Sequence, residues 1–141
     1  MTTPRATPSI ERIRLAAQRL GAEIGARLIL LFGSAARGRT APADLDIGIL
    51  SDRPLDAIAA TNFLIASLGT QEIDVSNLRH ADPLLLALAA RDGIPLYEAH
   101  PGAFATFVSL AARRFADTRK FRDAERREVR NFIDAARGGG D

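Results

Sequence analysis

Residues 31–50, LFGSAARGRTAPADLDIGIL, carry the reading on which the rest of the chain depends. An apolar run, Leu28 to Phe32, stops at Gly33-Ser34. After a small, basic, turn-forming segment the chain gives Asp44-Leu45-Asp46 at the head of a second apolar run that lasts to Leu50. Carboxylates at the point where a strand enters a core are costly unless something positive meets them. A metal ion, the Arg37 and Arg39 side chains, and water are the candidates.

Both runs are short and bounded by glycine or turn residues, which suits buried strands over Arg27–Phe32 and Leu45–Leu50. Upstream, Ile10, Ile13, Ala17, Leu20 and Ile24 recur at helical steps, with Thr7-Pro8 expected to supply the cap and the first helical proline. Downstream, Leu55, Ile58, Ala59, Phe63 and Leu64 predict a helix from Pro54 to Gly69, and the alternation in EIDVSNL (72–78) predicts a third strand. Pro83 opens a helix that Gly93 ends, and Ile94–Tyr97 reads as a short fourth strand. Phe104, Phe107, Val108, Ala111 and Phe115 mark another helix. Phe121, Val129, Phe132, Ile133 and Ala136 mark a last one, or its continuation past Asp117-Thr118. Alternating helices and strands predict an α/β (α+β) class with a small mixed β-sheet packed by helices. One domain is expected over 1–137, with 138–141 a disordered tail.

The 141 residues, 47% of them hydrophobic, suffice for one domain with a real core. No apolar run reaches membrane-spanning length and the first residues lack a secretory h-region, so a cytoplasmic protein without membrane attachment is expected. The absence of cysteine excludes disulfides, thiolate nucleophiles and zinc-thiolate sites. Residues 113–137 hold nine of the 19 basic and five of the 17 acidic residues, leaving this segment at +4 and the remainder at −2. It reads first as a solvated helix face, with nucleic acid or an acidic partner surface as the alternative. One tyrosine and no tryptophan leave no stacking platform for single strands, so direct nucleic-acid binding is not expected.

Along a strand, residues i and i+2 face the same way, which sets the Cα atoms of Asp44 and Asp46 roughly 6.5 Å apart at about 3.3 Å per residue. Carboxylates so placed suit hard, oxygen-loving cations such as magnesium or manganese. Asp74 joins them if the second and third strands are neighbours. Gly33 permits close approach of backbone to a ligand, Ser34 can open a short helix, and backbone N–H groups there favour phosphate, with Arg37 as a nearby cation. Singly, these are short motifs that also occur as punctuation.

Together, GSAARG, then DLD at a strand start, then EIDV on a later strand resemble the nucleotidyltransferase superfamily, of polymerase beta-like fold. The small size and the stretch IDVSNLRHADPLLLALAARDGIPLYEAHPGAFATF are similar to the minimal nucleotidyltransferases that serve as MntA-like antitoxins in HEPN/MNT toxin–antitoxin pairs. The resemblance covers about residues 10–135. It implies that Gly33 and Ser34 hold the triphosphate of ATP, that Asp44 and Asp46 bind two Mg2+ ions, and that Asp74 completes the metal site and helps activate the attacking hydroxyl. It also implies transfer of AMP from ATP to a tyrosine of a cognate HEPN RNase toxin, silencing it. Ala43 stands where the family often has a serine before the first aspartate.

His80 and His100 lack metal-ligand spacing and are left out of the site. Tyr97, at a strand end, reads as a packing residue. The last helix could close the core or dock a partner. Two alternatives to a protein adenylyltransferase stay open: an antitoxin that neutralises by binding alone, and an aminoglycoside-like small-molecule nucleotidyltransferase. Retention of Ser34 and all three aspartates favours catalysis, and the lack of a second domain to form an acceptor pocket disfavours the small molecule.

Overall fold

A computed structural model of the chain describes residues 7–36 and 44–138. In chain order the elements are α1 (Ile10–Ile24), β1 (Leu28–Phe32), α2 (Gly33–Ala36), β2 (Leu45–Leu50), α3 (Ala57–Leu68), β3 (Ile73–Asn77), α4 (Pro83–Asp92), β4 (Ile94–Glu98), α5 (Ala103–Asp117) and α6 (Arg119–Gly138). The expected mixed sheet is present, in the order β3-β2-β1-β4. β1 runs antiparallel to both β2 and β4, while β2 and β3 are parallel.

Every residue of β1 is buried, because the central strand is covered on both faces. Ile29 and Leu31 pack with Ile47 and Ile49 of β2 against Leu20 of α1 and Leu64 of α3. Leu28, Leu30 and Phe32 point the other way, toward Leu86 and Ala89 of α4 and Phe107 and Ala111 of α5. The period-2 alternation that fills the first face with Leu45, Ile47 and Ile49 turns Asp46 and Gly48 of β2 toward the α4 side.

The helix ends follow local side-chain chemistry more closely than the proline positions. α1 is capped by Ser9, whose hydroxyl accepts from the Arg12 N–H at 3.3 Å, rather than by Thr7. α3 begins at Ala57 rather than Pro54, because the Asp56 carboxylate accepts from the Ala59 N–H at 3.0 Å. In α4 cap and proline coincide: Asp82 accepts from the Leu85 N–H at 2.8 Å and Pro83 is the first helical residue. Gly93 alone joins α4 to β4, and a Cβ there would overlap the Ala89 carbonyl. That tight joint fixes the last turn of α4 beside the sheet.

α6 differs from the core-closing expectation. Val129, Phe132 and Ile133 are exposed, as are the other described side chains of this helix, so its apolar stripe lies outside the core. Of the expected tail, residues 139–141 lie outside the described residues, and Gly138 ends α6. No helix among the described residues is long and apolar enough to cross a membrane.

Leu30 is fully buried where β1 meets α4 and α5. Leu30→Ala is expected to cost about 2–5 kcal/mol through lost burial and a cavity, read as a fall in the urea midpoint without a change in slope.

Candidate active site

The parallel register of β2 and β3 sets Asp46 directly beside Asp74, and the antiparallel register of β1 and β2 sets Asp46 beside Phe32. Since β1 ends at Phe32 and α2 starts at Gly33, the Gly-Ser turn meets the aspartates at one end of the sheet. Gly33 has φ +75°, and a Cβ there would overlap Oδ2 of Asp46. Any other residue would be strained by backbone and blocked by the carboxylate. The glycine thus lets the chain turn against Asp46.

A cleft of about 260 Å³ opens here, lined by Gly33, Asp46, Asp74 and Ser76 on the sheet side and by Arg91 and Asp92 on α4. Larger grooves elsewhere lack this clustering. The one between α4 and α5, about 370 Å³, is walled by Leu84, Leu88, Val108 and Phe115 and carries no carboxylate. Concentrated carboxylates, rather than size, mark the smaller cleft as the site.

The cleft strains its own charge. Burial raises the Asp46 pKa above the ordinary carboxylate value, and the negative charges of Asp74 and Asp44 raise it further. Asp44 lies exposed just before β2, outside the cleft wall, yet its charge is felt at Asp46. Asp46 is half-buried and Asp74 is exposed. Opposite in sign, Arg91 donates from Nε and Nη2 to the two oxygens of Asp92, both at 3.0 Å. Those bonds raise the guanidinium's pKa, so its charge is permanent.

Of the expected site residues, the structure therefore gathers Gly33, Asp46 and Asp74 around one cleft, with Asp44 just before β2 outside its wall and Ser34 second in α2. Arg37 lies outside the described residues, as do Arg39 and Ala43. Ser76, Arg91 and Asp92 are additions that sequence reading passed over. Ser76 was accessible to it, two residues after Asp74 on the same strand face. Arg91 and Asp92 end the helix that opens at Pro83 and carry no motif of their own in the sequence.

With Asp46 holding its proton more tightly folded than unfolded, the folded chain loses stability as pH rises from the ordinary carboxylate range through the raised value. Asp46→Asn, in metal-free buffer at pH 7, is expected to raise the melting temperature by roughly a degree or two and to flatten that acid-side dependence. A lower melting temperature would make the carboxylate a structural acceptor instead.

The polymerase beta nucleotidyltransferase family model matches residues 19–101, more than half of the chain and the whole cleft-bearing sheet. A protein adenylyltransferase, MntA, of Aphanizomenon flos-aquae is 28% identical over 140 residues, spanning 89% of this chain and 93% of its own length. A crystal structure of a toxin–antitoxin with AMP-PNP superposes with a TM-score of 0.72 at 22% identity, covering 82% of this chain and 97% of its counterpart. The tri-AMPylated HEPN toxin of Shewanella oneidensis in complex with its MNT antitoxin gives a TM-score of 0.69 at 22% identity, covering 86% and 98%. The strand order, the Gly-Ser turn packed on Asp46, the Asp46–Asp74 pairing and the family match agree: the chain belongs to the polymerase beta nucleotidyltransferase family.

Proposed function

We propose that this nucleotidyltransferase is an antitoxin-type protein adenylyltransferase, moving AMP from ATP to a tyrosine hydroxyl of a cognate HEPN toxin in the cytoplasm, where ATP is at hand. The observation that carries the chemistry is the register pairing of Asp46 with Asp74 against Gly33. The choice of acceptor draws support from the MntA relative, named a protein adenylyltransferase, and from structural neighbours that are toxin–antitoxin complexes, one with an AMPylated toxin.

The donor set fits magnesium. It is all oxygen, and the burial and carboxylate repulsion that together lift the Asp46 pKa are both offset by a hard cation. Among the described residues no three acidic or imidazole groups close around a metal by themselves. Magnesium keeps waters and shares substrate phosphates, so it does not need an all-protein cage. Asp44, Asp46 and Asp74 would hold the two ions, which supply charge neutralisation of the phosphates and of the attacking oxygen.

The chain's own residues do the rest. The Gly33-Ser34 turn offers backbone N–H groups to the triphosphate, with Arg37 as a further cation. Asp74, exposed at the cleft mouth, stands where an incoming hydroxyl can approach and accepts its proton. The tyrosine oxygen then bonds to the α-phosphorus as the bond to the leaving oxygen breaks in line, releasing pyrophosphate. Positioning and fixed charge provide most of the acceleration.

Asp74→Asn is expected to lower transfer of labelled AMP to the purified toxin by about 10² or more, the range that loss of a general base produces. Complex formation, followed in parallel by size-exclusion chromatography, should persist. Full transfer would remove Asp74 from the mechanism, and lost transfer with undiminished toxin neutralisation would assign the function to binding alone.

A further inference from the structure

Asp46, Asp74 and Asp92 give the cleft wall the same sign as a nucleotide's phosphates. Among the described residues, Arg91 is the one cationic side chain lining it. Asp92 is placed oddly for helix stability, since an acid in the last turn of α4 opposes the helix dipole. Its side chain is only 15% exposed, while that of Arg91 is 64% exposed. The acid is the anchored member of the pair and the guanidinium its outward member. The fork takes up Nε and Nη2 and leaves the Nη1 edge out of the pairing. With the guanidinium 64% exposed the pair adds little to stability, but it does fix the plane of a guanidinium that lines the cleft. Gly93 follows the pair directly, and a Cβ there would overlap the Ala89 carbonyl, so the chain leaves α4 in close contact with its last turn.

We propose that Arg91, oriented by Asp92, is a substrate-contacting residue that grips phosphate oxygens of the nucleoside triphosphate from the α4 wall. The planar fork of donors matches phosphate geometry, and its fixed charge offsets part of the repulsion from the carboxylates. The assignment rests on the nucleotidyltransfer reading of this cleft. Arg91 also lines the apolar groove between α4 and α5, so a contact to the acceptor protein is the competing role.

Binding of Mg·ATP to the full chain by calorimetry, without toxin, tests the assignment, together with the KM for ATP in the transfer reaction. Arg91→Gln should weaken Mg·ATP binding and raise KM by about 10- to 100-fold, the loss expected for a charge-assisted hydrogen bond. Its melting temperature and its affinity for the toxin should match those of the wild type. Arg91→Lys should recover part of the affinity through charge, and Asp92→Asn should fall between wild type and Arg91→Gln. Unchanged Mg·ATP binding by Arg91→Gln overturns the proposal, as does a loss confined to toxin affinity, which would place Arg91 in the groove. Failure of the wild type to bind Mg·ATP would overturn both this assignment and the reading of the cleft. Normal wild-type binding with an unaffected variant removes Arg91 alone.

Discussion

Parallel pairing of β2 with β3 is the constraint on which the rest of the site depends. It places Asp46 and Asp74 side by side, and no side-chain choice can separate two residues locked in register. A one-residue slip of β3 would turn Asp74 to the opposite face and drive Ile73 and Val75 out of the core, so the hydrophobic pattern that stabilises the sheet also enforces the repulsion. Burial raises the Asp46 pKa most, and the charge of Asp74 beside it raises it further.

The sheet can tolerate the conflict because it is confined to one end. Leu28 and Leu30 fill the α4 side of β1 below it, while Ile29, Leu31, Ile47 and Ile49 fill the far face. Where β1 gives way to Gly33 the packing opens into the carboxylate-lined cleft. Strand ends carry the charged groups and strand middles carry the stability, a division that lets a small domain hold an electrostatically unfavourable site.

Much of this was legible in the sequence because the signals were local. The run Leu45–Leu50 reads as a strand by length and β-branched content, and it is β2 to the residue. Gly33 after Phe32 announced a turn, though not that Asp46 would press against it, a fact of the β1–β2 register. Asp74 belonged to the site only on the condition that its strand lay beside β2, because strand order is a tertiary property that no period in the sequence encodes. Arg91 and Asp92 escaped notice for the same reason: they reach the cleft through the packing of α4 on β1. The helices start after Ser9 and Asp56 rather than at Thr7-Pro8 and Pro54, because a side-chain cap satisfies the first N–H groups whereas proline only tolerates the position. The stripe Val129, Phe132 and Ile133 has the spacing of a core helix, and spacing alone does not tell a buried stripe from an exposed one.

Completion of the register-locked carboxylates by a magnesium ion is the proposal on which the function rests. Carbon-detected NMR of the Asp46 carboxyl group, titrated with and without magnesium, tests it most directly. The account predicts a midpoint above the ordinary aspartate value in metal-free buffer, moving below that value when magnesium is present. An identical midpoint in both titrations would contradict it.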